Sequence, residues 1–300
     1  MTPGASSMMV GFAMVVGPRE GGIATDTIRS ILNFYPQSKI WIRDDATTDG
    51  TFEQLQSLAA SAPHRIDLTR NPHAMGLDGI AVSTFRLFQH IANAPEKLEM
   101  VIQLDPDVCI VREGLVEFAR KRFAVAGPGI LGSYTRTPDR RPRSHRVHAR
   151  AMLRDLLPVD RDRGSGRLRA GLPFYLRFLP RAFRSGYKPG HHVLAAFYIV
   201  HGETLYALAR LGFWSSIPKD GSRSVKPDDP LVSLGAYAVG HRLIDIHEED
   251  GRSQVWIQHR APVPLTAEEI HAHSLLAVHP LKQDEASMLL RNELKRLTLQ

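Results

Sequence analysis

The chain holds a single cysteine, Cys109, in 300 residues, so neither an intrachain disulfide nor a cysteine-based zinc cluster can form. It has no apolar run near the roughly 20 residues that cross a bilayer. Residues 1–11 carry no basic stretch ahead of their apolar part, so no secretory signal is read there. No internal repeat is present. These absences exclude a disulfide scaffold, a spanning membrane enzyme and a solenoid, and they make the cytoplasm the expected compartment. Negative charge is also scarce in one place. Residues 136–188 contain fifteen Lys/Arg against four Asp, a balance of +11 within a chain of formal charge +7, which leaves the remainder at −4. A uniformly basic nucleic-acid binder is therefore not expected, whereas one local basic surface is.

What is present reads as an α/β enzyme. Hydrophobic residues make up 43% and charged residues 23% of the chain, ordinary globular values. The run at 8–16 is continuously apolar and ends at Gly17-Pro18, as in a strand buried on both faces. Helical spacing at 25–34, a strand at 39–43, a helix at 52–61, a strand at 65–69, a helix at 80–92 and a strand at 100–104 follow. Strands that alternate with helices imply a mainly parallel sheet flanked by helices. Regular patterning is lost between 136 and 192, apart from a short basic helix at 147–157, and returns as a strand at 193–200 and helices near 203–211, 230–239 and 284–297. The expected organisation is one half-domain at 1–135, a basic insertion or mobile loop at 136–192, and a second half at 193–300.

Open parallel sheets bind ligands beyond the carboxyl ends of their strands. Asp44, Asp45, Asp105 and Asp107 all follow directly on predicted strands, so they should converge on one edge. Asp105 and Asp107, separated by Pro106, offer two carboxylates at a strand mouth. That suits a hard cation such as Mg²⁺ or Mn²⁺, which can absorb the charge left on a departing diphosphate. The plain alternative is a surface turn in which an aspartate caps the next helix.

The decad from Ile42 to Thr51, with Asp44-Asp45, Asp49 and Gly50, resembles the strand-D-D-x-S-x-D-G-T segment of family 2 glycosyltransferases. Leu104-Asp105-Pro106-Asp107 resembles their second acidic motif. The resemblance implies a GT-A fold, a Rossmann-like sheet, with Asp45 at the nucleoside base, Asp44 at neighbouring contacts, and Asp105 and Asp107 on the metal and donor. Asp228-Asp229, opening a helix later in the chain, resembles the acidic pair near the acceptor. There Asp229 takes the general-base role and Asp228 the usual glutamate position; an N-cap with Pro230 in the first turn is the bland reading. Val278-His279-Pro280-Leu281-Lys282 resembles the segment whose histidine closes the metal shell, which makes His279 a metal ligand and brings Lys282 toward a donor phosphate. Arg19, in the glycine-rich turn after the first strand, can neutralise phosphate, or the turn is simply flexible; it is no P-loop. His191-His192 are weaker candidates for acceptor contact. His271 and His273 match no familiar zinc spacing.

The resulting expectation is a metal-dependent transferase that moves one sugar from a nucleoside-diphosphate sugar, a UDP-sugar, to an acceptor hydroxyl with inversion. The Q-x-x-R-W motif of processive synthases is missing. A sugar-phosphate nucleotidyltransferase is the alternative within the enzymes. A nucleic-acid or anionic-surface binder using 136–188 is the alternative outside them, since Phe174, Tyr175, Phe178, Phe183 and Tyr187 interleave with the arginines there. The expected partners are the donor and a glycan or lipid-linked acceptor, with peripheral contact to an anionic membrane, and not nucleic acid.

Overall fold

The computed structural model describes residues 8–76, 79–156, 172–217, 228–247 and 253–298. The local patterns fold largely where they point. Strand β1 (Met9–Val16) leads to helix α1 (Gly21–Phe34), β2 (Lys39–Asp44), α2 (Thr51–Ser61), β3 (Ile66–Arg70), α3 (Ile80–Asn93) and β4 (Leu98–Leu104). Next come β5 (Cys109–Ile110), α4 (Leu115–Ala126), β6 (Gly129–Gly132), α5 (Arg146–Asp155), α6 (Leu172–Arg184), β7 (Phe197–His201) and α7 (Gly202–Arg210). The chain closes with α8 (Asp228–Ala238), β8 (Arg242–Asp245), β9 (Val255–Ile257), α9 (Ala267–Ala272), β10 (Ala277–His279) and α10 (Glu285–Thr298).

Seven strands form one sheet in the order β3-β2-β1-β4-β7-β6-β8. Its pairings are parallel except for the two that flank β7. The sheet is therefore mixed and mainly parallel, with helices on both faces, as the GT-A resemblance implies. Side chains alternate across the pleat. Val101 of β4 and Tyr198 and Val200 of β7 enter a core shared with α3, α6, α7 and α8. Met100, Ile102 and Leu104 enter the opposite core with α1, α2 and α4. A separate sheet, β5-β10-β9, rests on a third cluster that includes Ile270 of α9 and Leu294 of α10.

The segment expected to be irregular, 136–192, differs most from its sequence reading. It contains α5, where a basic helix was expected, and also α6, which the dense arginines and Pro180 conceal; residues 157–171 lie outside the described part. Helix α6 sends Phe174, Tyr175, Phe178, Leu179 and Ala182 into the main core and keeps its arginines outside. Phe178 sits 4.9 Å from the Phe174 ring centroid and 5.0 Å from that of Phe213. Pro180 falls on the solvent face, next to the last buried turn. Burying these rings outweighs the local cost of one helical proline, about 3 kcal/mol. Phe178→Ala is accordingly expected to lower stability by about 3–5 kcal/mol, as for a buried aromatic. A urea-denaturation midpoint within error of the parent protein would instead place α6 outside the core.

Candidate active site

The acidic residues collect at the carboxyl edge of the large sheet because β1, β2 and β4 run parallel. Antiparallel β7 adds a second route to the same edge. Its first residues arrive where β4 ends, and Asp105 donates its backbone N–H to the Ala196 carbonyl at 2.9 Å. The chain then turns through Pro106 and Asp107 into β5. Antiparallel pairing of β5 with β10 sets Val278 opposite Cys109, which carries His279 alongside Asp107. The imidazole Nε2 lies 3.2 Å from Asp107 Oδ1, and the Leu281 N–H donates to the Asp107 carbonyl at 2.9 Å.

Among the described residues, Asp105, Asp107 and His279 are the group whose ligand atoms, all within 4.8 Å of one another, could share an ion. His271 and His273 take no part in it; His271 instead meets Arg112 at 3.1 Å. His279 Nδ1 lies 2.8 Å from the Gln258 carbonyl. As a donor there, Nδ1 orients the ring so that Nε2 faces the two carboxylates, the usual outer-shell arrangement of a metal-binding histidine. Two carboxylates and one imidazole suit Mn²⁺ and also accommodate Mg²⁺. Helix α10 braces the group from behind. Arg291 is fully buried and donates to the Leu281 carbonyl at 3.0 Å and to Thr27 Oγ1 at 3.3 Å. Thr27 in turn lies 2.9 Å and 2.7 Å from the carbonyls of Pro106 and Val108.

Electrostatics make a cation favourable here. Burial pushes the Asp105 carboxyl up to about 7, reinforced by Asp107, Asp228 and Glu20 and opposed by His279. Asp107 stands lower than an ordinary aspartate, because the hydrogen bond and charge of His279, with Lys282, outweigh its own burial. Glu20, a neighbour not anticipated from the sequence, accepts the Gly17 N–H at 2.7 Å and is raised by burial. Clustered, desolvated carboxylates repel one another until a proton or a cation neutralises them. Below about pH 7 an ion must displace the proton of Asp105, so Mn²⁺ affinity should climb about tenfold per pH unit up to that point and flatten above it. Calorimetric Mn²⁺ titrations in buffers of different ionisation heat would show the proton release; an affinity flat from about pH 5.5 to 7.5 would contradict the assignment.

The second acidic pair opens α8. Asp228 accepts from Thr84 Oγ1 at 3.1 Å, and burial raises it to about 6. Asp229 is held well above the usual carboxylate range by burial and by Asp228, with Arg143 opposing. Its Oδ2 lies 3.7 Å from His192 Nε2, while its Oδ1 is buried without a hydrogen-bond partner among the described residues. Pro227, part of the sequence motif, lies outside those residues. The Tyr198 hydroxyl is buried near Asp105, Asp228 and Asp229 and has no hydrogen-bond partner among the described residues. Gln103, its register partner on β4, approaches Asp105 Oδ1 at 3.5 Å. Tyr198 and Gln103 lie inside strands that read as ordinary core, so nothing in their sequence context marks them. Arg143 donates to His192 Nε2 at 3.1 Å. The rings of His145 and His148 pack at 5.0 Å and 4.1 Å from His192.

The first acidic pair is engaged within the chain. Asp44 accepts from the Thr47 backbone and hydroxyl, at 3.1 Å and 2.6 Å, and pairs with Arg70 at 3.1 Å. Asp45 accepts from Asn71 at 2.8 Å and from the N–H groups of Met75 and Gly76, each at 2.9 Å. Both carboxylates thus shape turns, and Asp45 fastens the 71–76 loop to the sheet edge. Arg19 is exposed with φ 65°. Its N–H bonds Asp49 and its carbonyl bonds Gln283, so its turn adjoins the exposed Lys282.

No protein-family model and no curated protein matches the chain. Among solved structures it is similar to TarS of S. aureus in complex with UDP, at 12% identity and a TM-score of 0.46, over 79% of this chain and 57% of that one. It is also similar to the galactosyltransferase LgtC in complex with donor and acceptor sugar analogs, at 9% identity and 0.47, over 96% and 95%. A third is the mannosyltransferase PcManGT of Pyrobaculum calidifontis in complex with GDP-Man and Mn²⁺, at 15% and 0.46, over 97% and 74%. The chain spans 35% to 58% of the length of the TarS structures. No helix among the described residues is long and apolar enough to cross a membrane.

Proposed function

We propose that the chain is a metal-dependent glycosyltransferase that moves a single sugar from a UDP-sugar to an acceptor hydroxyl with inversion. One observation carries the reading. Asp105, Asp107 and His279 form a cation-compatible group at the carboxyl edge of the sheet, and the buried, proton-avid Asp229 belongs to the same cluster of carboxylates.

When bound, Mn²⁺ or Mg²⁺ would neutralise the charge that develops on the leaving diphosphate. Asp105, Asp107 and His279 would hold it. Lys282 and Arg19 would lie along the diphosphate, where cationic donors offset its remaining charge. Asp45 acts at the nucleoside through the 71–76 loop that its carboxylate fastens, and Asp44 holds the turn beside it. At the acceptor end, Asp229 takes the hydroxyl proton as that oxygen bonds to the anomeric carbon and the bond to the diphosphate breaks. Its raised proton affinity suits this, because a desolvated carboxylate is the stronger base. The charge of Asp228 raises the proton affinity of Asp229 further, and His192, held by Arg143, adjoins its Oδ2.

The test is product identity. Incubation with a panel of nucleotide sugars and Mn²⁺ should release UDP, with the new linkage of inverted configuration by NMR. Pyrophosphate release from UTP and a sugar 1-phosphate would instead mark a nucleotidyltransferase, and retained configuration would remove Asp229 from the base role.

A further inference from the structure

Apart from Arg143, the mechanism leaves the basic segment without a task, and the structure divides that segment's side chains sharply. Of the five aromatic residues that made it resemble a nucleic-acid surface, Phe174, Tyr175, Phe178 and Tyr187 are buried, and only Phe183 is exposed. Base stacking on aromatic side chains thus loses its platform. What faces outward is a mixture of another kind. On α6, Leu176 is 66% and Phe183 47% exposed, flanked by exposed Arg177, Arg181 and Arg184. On α5, Val147 is 70% and Leu153 57% exposed, beside exposed Arg146 and Arg150. These four account for most of the large exposed hydrophobic side chains of the described residues. Single exposed leucines need no explanation, but apolar residues gathered on two helices with arginines around them do.

We infer that the outer faces of α5 and α6 dock on a bilayer with anionic headgroups. Arginine and large apolar side chains on one helix face, opposite a stripe buried in the protein, let the guanidinium groups meet headgroup phosphates while Leu176, Phe183, Val147 and Leu153 enter the acyl boundary. The charge complements such a surface: Arg146 and Arg150 on α5 and Arg177, Arg181 and Arg184 on α6 are all exposed. Among the described residues, no carboxylate pairs with Arg181 or Arg184. The location is also apt. Helix α6 packs in the same core as Leu231 and Leu234 of α8, whose first turn carries Asp229. Helix α5 reaches His192 through His148, and His192 reaches Asp229. A membrane held on this face would present an amphiphilic acceptor to Asp229; that last clause rests on the reading of Asp229 as base, whereas the docking itself does not.

Flotation of the full chain with vesicles tests it. Binding is expected to vesicles of phosphatidylcholine with about one third phosphatidylglycerol and not to phosphatidylcholine alone, and to weaken with salt. Arg181→Gln with Arg184→Gln should weaken binding about 10- to 30-fold. Leu176→Ser with Phe183→Ser should weaken it about tenfold or more, with the salt dependence retained. All variants should keep their UDP release in solution, which separates failure of docking from failure of the enzymatic reading. The inference is overturned if the parent chain does not float with anionic vesicles, or if both pairs of substitutions leave flotation unchanged. It is equally overturned if the same face mediates self-association, or binds an RNA 20-mer in place of vesicles.

Discussion

Asp229→Asn is expected to lower turnover by about 10²- to 10⁴-fold, the usual contribution of a positioned general base, while Mn²⁺-dependent UDP binding stays close to that of the parent protein. The amide matches the carboxylate in shape and cannot take a proton. Stability should move the other way. The folded pKa of Asp229 is raised by burial and by Asp228, so over the window from about 4 upward the folded state binds more protons than the unfolded chain. Stability from this group is thus greatest at low pH and falls as pH rises through the folded value. Asn removes that loss and should raise the melting temperature at neutral pH relative to the parent, less whatever Arg143 and His192 lose as partners. Steady-state rates, UDP calorimetry and melting curves at several pH values measure all three. Turnover within about tenfold of the parent would displace Asp229 from the base role.

Asp107→Ala is expected to abolish the metal dependence. Outer-shell partners of metal ligands alone are worth about 10- to 100-fold in affinity, so removal of a ligand should weaken Mn²⁺ binding by about 10²-fold or more and reduce turnover with it. His279→Ala should behave similarly, because the same change removes the Nε2 that lies 3.2 Å from Asp107. The double variant should lose little beyond either single one, since both disable one site. Electron paramagnetic resonance of free Mn²⁺ in a titration reads the affinity directly. Parent-like Mn²⁺ binding in Asp107→Ala would remove the Asp105, Asp107 and His279 group from consideration, whatever the fate of Asp229.

Several features were legible in the linear chain. The apolar runs of β1, β2 and β4 announce buried strands, and the acidic residues at the ends of two of them announce an acidic carboxyl edge. Local patterning suffices for this because strand burial leaves its period in a handful of consecutive residues. Other parts left no such trace. Strands β5, β9 and β10 have two or three residues each, too few for any period, yet the pairing of β5 with β10 is what sets His279 beside Asp107. Helix α6 hides its apolar stripe among arginines and a proline, and only the core against α8 reveals why it is a helix. Tyr198 and Gln103 become neighbours of Asp105 through the register of β4 and β7.

The linear order of residues was therefore enough to place Asp44, Asp45, Asp105 and Asp107 at the carboxyl edge of the sheet, since each sits at or just past the end of the strand that delivers it. Whether they meet was decided elsewhere. The reversed direction of β7, the small sheet that returns His279, and α8 with its first turn aimed at the same edge each join residues far apart in the chain. Such contacts arise from burying complementary faces in three dimensions, and no local pattern encodes them.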